Sequence, residues 1–270
     1  MKKRHVALVL GGVLAAGVAA ALLEPGGRVL GWMRGESFFQ DRPTRYWRKR
    51  LLDRDPGVAT NTVHALWQHG AEPVPVLKEL LRDPDPTVRR SGATALGLIG
   101  PDAHDAVPDL AKALADSDAL VRYVAAKSLG QIGPAAADAV PALVARLAAG
   151  DADCVNAVKA LGRLGPAAAP AIPDLATLLK HPKAEVRWES AETLEQIGPA
   201  AVAAVPALIS LLGDDLPKVR ERALRALGGI GPAAKEALPA VRAALNDKHE
   251  DVKRDAARAL KQIEGDAPRK

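Results

Sequence analysis

Cysteine is almost missing: Cys154 is the single one in 270 residues. That excludes an intrachain disulfide and any zinc site built on cysteines. Aromatic residues make up only 3% of the chain, so a core has to form by close helix contacts between small aliphatic side chains rather than large rings. Signatures of a reaction centre are missing too. No Gly-x-Ser-x-Gly, P-loop or dinucleotide fingerprint occurs, and Gly228-Gly229-Ile230-Gly231 closes a helical pattern without coming after a strand. No His-Glu-x-x-His occurs, and His5, His64, His69, His104, His181 and His249 sit at unrelated positions. The expectation is therefore no catalytic residue, no metal and no cofactor.

A uniform basic surface is missing as well, although the net charge is +5. Residues 1–54 carry eleven basic and four acidic side chains, a net +7, which leaves residues 55–270 at −2. Tracking a nucleic-acid backbone needs a basic face, so no nucleic-acid partner is expected.

The N-terminus carries Lys2, Lys3 and Arg4 and then Val6–Leu23, 18 apolar or small residues without charge. A basic flank and an apolar stretch make a signal peptide, with Ala19-x-Ala21 as a cleavage site, or an uncleaved signal anchor over residues 1–23. Either outcome keeps the basic end inside and places the rest outside the cytoplasm, membrane-anchored or exported to a periplasm. Residues 24–42 read as a juxtamembrane linker whose aromatics and arginines rest at the membrane interface; alternatively, Phe38 and Phe39 cover the open end of the first repeat.

From residue 43 onward the chain is repetitive. Val-Pro, Ile-Pro or Leu-Pro steps end at Pro75, Pro108, Pro141, Pro173, Pro206 and Pro239, and Gly-Pro steps end at Pro101, Pro134, Pro166, Pro199 and Pro232. A period of 33 residues, once 32, marks a solenoid in which each unit buries its apolar face on its neighbours. Within one unit Val107, Leu110, Ala113 and Leu114 form one helical stripe, and Val121, Ala125, Leu129 and Ile132 form a second. Proline suits the first turn of the first helix, Asp116-Ser117-Asp118 the turn between them, and Gly133-Pro134 the end of the second. The expected fold is an all-α, right-handed superhelical solenoid of helical hairpins over residues 43–264. It has a degenerate first repeat at 43–72, six fuller repeats, an apolar helix before it and a tail at 265–270.

The pattern Asp-x-Asp-x-x-Val-Arg-x-x-Ala-Ala-x-x-Leu-Gly-x-Ile-Gly-Pro resembles HEAT repeats of the short type found in phycobilisome lyases. It is carried by Val88-Arg89, Val121-Arg122, Val186-Arg187, Val219-Arg220 and Val252-Lys253. The resemblance implies that these arginines pair with turn acids of their own or the adjacent unit, with Asp85, Asp118 and Asp214 as candidates. Residues 150–156 are one residue short and lack the Val-Arg step, so the ladder should break in the third full unit, with a local change in curvature. Deoxyhypusine hydroxylase, also of this architecture, holds iron through repeated His-Glu pairs, but only His249-Glu250 occurs here.

The remaining candidate is surface. In arrays this chain resembles, second helices line a concave face used for partners. Outward positions of those helices run Arg90, Tyr123, Val155, Trp188, Glu221, Arg254; then Thr94, Lys127, Lys159, Glu192, Arg225, Arg258; then Leu98, Gln131, Arg163, Gln196, Gly229, Gln262. Tyr123 and Trp188 are the sole aromatics of the six fuller units; they serve as interface anchors or cover gaps between helices. The partner-binding set is Arg90, Tyr123, Lys127, Lys159, Arg163, Trp188, Glu192 and Arg225. The expected function is a monomeric, non-catalytic scaffold for a protein partner, and the alternative is a phycobilin-lyase-like or other HEAT-fold enzyme subunit.

Overall fold

The computed structural model describes residues 28–149 and 152–265. The apolar stretch 6–23 and residues 266–270 lie outside the described residues, as do Gly150 and Asp151. The regular structure of the described chain is helical, α and 3-10, apart from one two-stranded pairing, and the chain divides into two compact units between Ile99 and Gly100.

The first unit contains α1 (Arg28–Met33), β1 (Phe38–Phe39), β2 (Arg42–Pro43), α2 (Thr44–Leu51), α3 (Pro56–Trp67), α4 (Val74–Leu80) and α5 (Pro86–Ile99). Residues 28–43 are thus a built element. The strands pair antiparallel through a two-residue turn in which Gln40 and Asp41 both have positive φ, 48° and 56°. This tight hairpin turn normally recruits Asn and Gly. Phe39 is buried against Trp47 and His69, with ring centroids 5.3 Å and 5.2 Å away. Glu79 ties the hairpin down by accepting the Ser37 N–H at 2.7 Å and the Thr44 hydroxyl at 2.5 Å.

The second unit holds five hairpins: α6 (Val107–Ala113) with α7 (Ala119–Ile132), α8 (Val140–Leu147) with α9 (Ala152–Leu164), α10 (Ile172–Leu178) with α11 (Ala184–Ile197), α12 (Val205–Leu211) with α13 (Pro217–Ile230), and α14 (Leu238–Ala244) with α15 (Glu250–Glu264). Proline occupies the first turn of every first helix, where the missing N–H leaves no bond unmade. Asp118 caps α7 by accepting the Val121 N–H at 3.0 Å. Each hairpin is preceded by a glycine whose φ lies between 60° and 76°, at Gly100, Gly133, Gly165, Gly198 and Gly231. Only glycine enters that backbone region without strain, which explains the repeated Gly-Pro.

The seven residues from each of these glycines form a 3-10 helix, as in Gly133–Ala139. Its three-residue turn eclipses positions i and i+3. Ala136 and Ala139 are accordingly both fully buried, and so are Ala168 with Ala171, Ala201 with Ala204 and Ala234 with Ala237. Second helices pack on one another in the order α7, α9, α11, α13, α15, while successive first helices touch much less. Leu129, Leu161, Leu194 and Leu227, all fully buried, form the shared core of that inner layer. The segment Ala184–Leu211 is apolar and long enough to cross a bilayer, but it bends at Gly198 and buries Leu194, Ile197, Val205 and Leu208, so its apolarity belongs to this core.

Candidate functional site

The arginine after each valine has a structural task. Arg187 sends Nε and Nη2 to Asp214 at 2.7 and 3.1 Å, while its Nη1 donates to the carbonyls of His181 and Pro182 at 3.0 and 3.1 Å. Arg220 repeats this with Asp247 at 2.8 and 2.9 Å and with the carbonyls of Asp214 and Asp215. Each guanidinium thus closes its own turn and grips the first acid of the next turn along. Burial would raise the Asp214 carboxyl, but the Arg187 and Leu216 hydrogen bonds and the neighbouring arginines overcome it and hold the carboxyl below its usual range. The hydrogen bond from Arg220 lowers Asp247 in the same way, against a smaller effect of burial.

Of the expected turn acids, Asp214 is therefore a rung, while Asp118 caps its own helix and Asp85 accepts the Thr87 N–H at 2.8 Å. In the turns at 83–85 and 116–118 the second acid thus serves the helix start, and Asp83, the first acid of its turn, holds the Arg48 guanidinium.

The irregular third unit shifts the ladder. Ala149 stands where the turn acid belongs, and Arg122 instead reaches Asp153 in the first turn of α9, joined there by Arg146 at 2.8 Å. The missing rung is the next one, and it is missing on both sides. Cys154, fully buried, takes the arginine's place, and His181 takes the acid's place. Losing both partners together leaves no single buried charge, which is the costly outcome.

The predicted partner-binding residues divide among four helices of the second unit and α5 of the first. Arg90 lies half-buried on α5. On α7 and α9, Tyr123, Lys127, Lys159 and Arg163 converge with Asn156 and Ala160 around a hollow of about 150 Å³. Tyr123 is 42% exposed. Lys159 approaches Glu185 and Glu189 at 3.7 and 3.3 Å, whereas Lys127 and Arg163 have no carboxylate partner among the described residues. Trp188, on α11, is differently placed: Lys218 lies 3.7 Å from its ring centroid, so one face is already covered. Glu192 meets Arg222 at 3.4 Å, and Arg225 on α13 meets the buried Asp255 at 2.8 Å.

One packing rule at this face was not foreseen. A long side chain on one second helix lies over a glycine on the preceding one. A Cβ on Gly130 would come 3.0 Å from Cδ of Arg163, and Cβ atoms on Gly162 and Gly228 would overlap the amides of Gln196 and Gln262. Between α11 and α13 the pair is exchanged: Glu195 is the long residue and Gly229 the small one, with a Cβ there 3.4 Å from Cγ of Glu195. Burial raises the Glu195 carboxyl above its usual range despite Arg225, Arg222 and Arg258. The sequence signal was available in the alternation of Gly130, Gly162, Glu195 and Gly228 against Arg163, Gln196, Gly229 and Gln262.

Stacked helical hairpins with a register ladder and a variable inner face define an all-α repeat scaffold. The chain belongs to the HEAT-repeat family, whose model matches residues 44–104, 74–157, 155–216 and 205–270. This architecture generally serves as a non-enzymatic scaffold for protein–protein contacts. Among solved structures the chain is similar to an engineered protein, at 27% identity and a TM-score of 0.59 over 82% of this chain and 68% of that one. It is also similar to the archaeal HEAT-like repeats protein from Thermococcus onnurineus NA1, at 16% identity and a TM-score of 0.62 over 82% of this chain and 97% of that one, a likeness of fold alone. Comparison with curated proteins gave no match.

Proposed function

We propose that this chain is a non-catalytic HEAT scaffold, held at a membrane or exported with its repeats outside the cytoplasm, that captures a protein partner on the face of its second helices. The observation that carries the reading is the hollow between α7 and α9, where Tyr123 stands exposed beside two cations that have no carboxylate partner among the described residues. Register, core and turns use every rung arginine described above, whereas among the described residues no carboxylate engages Lys127 or the guanidinium of Arg163, whose stem alone packs on Gly130. Aromatic and cationic side chains in a concavity are what interface hot spots are built from.

The location rests on the basic flank and apolar stretch of residues 2–23. The exposed Trp32 and Met33, 77% and 63% accessible on α1 a few residues further on, suit a membrane interface. Replacing Tyr123 and Trp188 with Ala in the full-length chain should abolish crosslinking of the partner from intact membranes while helicity stays unchanged and stability falls by no more than the Trp188–Lys218 contact, about 1 kcal/mol. Unaltered crosslinking, or a stoichiometric metal or chromophore in the purified protein, overturns the scaffold reading.

A further inference from the structure

Charge gives the α7–α9 hollow a specific ligand chemistry. Tyr123 and Lys127 are one turn apart on α7, and Lys159 and Arg163 are one turn apart on α9, so the four side chains face one another across the seam. The seam is narrow because Gly130 has no side chain: a Cβ there would lie 3.3 Å from Cα of Ala160. The same absence lets the aliphatic stem of Arg163 lie across α7, which fixes where its guanidinium can reach. Three cations border one hollow, two of them without a carboxylate partner among the described residues, beside one aromatic ring and the Asn156 amide. A larger hollow of about 380 Å³ at the turns offers no comparable chemistry, because its guanidinium, Arg187, is held by Asp214.

We infer that the α7–α9 hollow binds an acidic segment of the partner protein, taking its carboxylates on Lys127 and Arg163 and packing a neighbouring side chain on the Tyr123 ring. This rests on the partner-face reading above and deepens it. Carboxylates suit the site better than a nucleic-acid backbone. The cations do not continue as a stripe, because Glu185 and Glu189 flank Lys159 on the α11 side and Glu192 lies beyond them. A polyphosphate chain would run onto those acids, whereas a short acidic peptide ends before them. Lys159 sits at the boundary, shared between its own acids and the incoming ones.

The test is fluorescence anisotropy of a labelled eight-residue Asp/Glu peptide containing one Phe, with the full-length chain in detergent. The wild type should bind it, more weakly as salt rises. Joint replacement Lys127→Ala and Arg163→Gln should weaken binding by about tenfold or more, with an unchanged melting curve, while Arg242→Ala on the outer helix α14 should have no effect. Absence of peptide binding, equal binding by the double variant, or preference for a single-stranded oligonucleotide of equal charge each overturns the proposal. Partner crosslinking that is lost in the Tyr123/Trp188 variant, with the peptide failing to bind, would leave the partner face standing and remove only its acidic ligand. The reverse pattern would remove the partner face.

Discussion

Two stretches of the same inner face use the same frame positions in opposite ways. On α11, α13 and α15 the charges are consumed within the fold: Lys218 covers Trp188, Glu192 holds Arg222, Asp255 holds Arg225, and Glu195 lies among three arginines. On α7 and α9 the equivalent positions carry Tyr123, Lys127 and Arg163, and neither Lys127 nor Arg163 meets a carboxylate among the described residues. A stack needs its core rows and its ladder, and of the outward rows it needs only the stems that lie over facing glycines, not their charges. Their chemistry can therefore settle internally, as in one stretch, or remain available, as in the other.

Breaking a rung should have the largest effect. Arg220 is 6% exposed and engages Asp247 and two carbonyls, so Arg220→Ala should cost about 3 kcal/mol in chemical denaturation, because it leaves a carboxylate and turn carbonyls unsatisfied. Lys127→Ala, at the corresponding face of the other stretch, should change stability by less than about 0.5 kcal/mol.

Next is the settled network itself. Asp255 is 4% exposed and holds Arg225, so Asp255→Ala should cost about 2 kcal/mol. A smaller effect of opposite sign is expected at Ser190. Its hydroxyl is buried without a partner, at the position that Ala125, Ala157, Ala223 and Ala256 occupy in other hairpins. Ser190→Ala should therefore add about 1 kcal/mol to stability.

The smallest effects depend on pH. Asp214 and Asp247 have folded pKa values below the unfolded carboxylate, so their contribution is complete above about pH 4 and fades as pH falls through the depressed values. Glu195 is the reverse: its raised folded value contributes stability below the ordinary glutamate range and loses it as pH rises through the raised value. Glu195→Gln should accordingly melt higher than wild type at about pH 7 and no differently near about pH 4.

The fold was legible because its frame residues act locally. Pro108 opens a helix, Leu129 occupies a core stripe and Gly133 adopts a backbone that other residues avoid, and each does so whatever lies opposite. The 3-10 segments were not foreseen, since alanine-rich stretches after Gly-Pro look like loops; their signal was the three-residue spacing of Ala136 and Ala139. Assigning the ladder to Asp85 and Asp118 failed because two chemically identical acids share each of those turns, Asp83 with Asp85 and Asp116 with Asp118. Only the forward reach of the arginine, from Arg187 to Asp214, tells them apart. The outward rows showed which residues face the surface but not which are already engaged. Lys218 over Trp188 and Asp255 on Arg225 are pairings between neighbouring repeats, invisible to a pattern read within one.

The most direct test of the contrast between engaged and available charge measures denaturation midpoint and acidic-peptide affinity on the same full-length samples. The variants are Arg220→Ala and the Lys127→Ala/Arg163→Gln pair. The expected result is a crossing: Arg220→Ala loses stability and keeps affinity, while the double variant keeps stability and loses affinity. A double variant that unfolds as readily as Arg220→Ala while still binding the peptide would contradict it, because Lys127 and Arg163 would then belong to the scaffold.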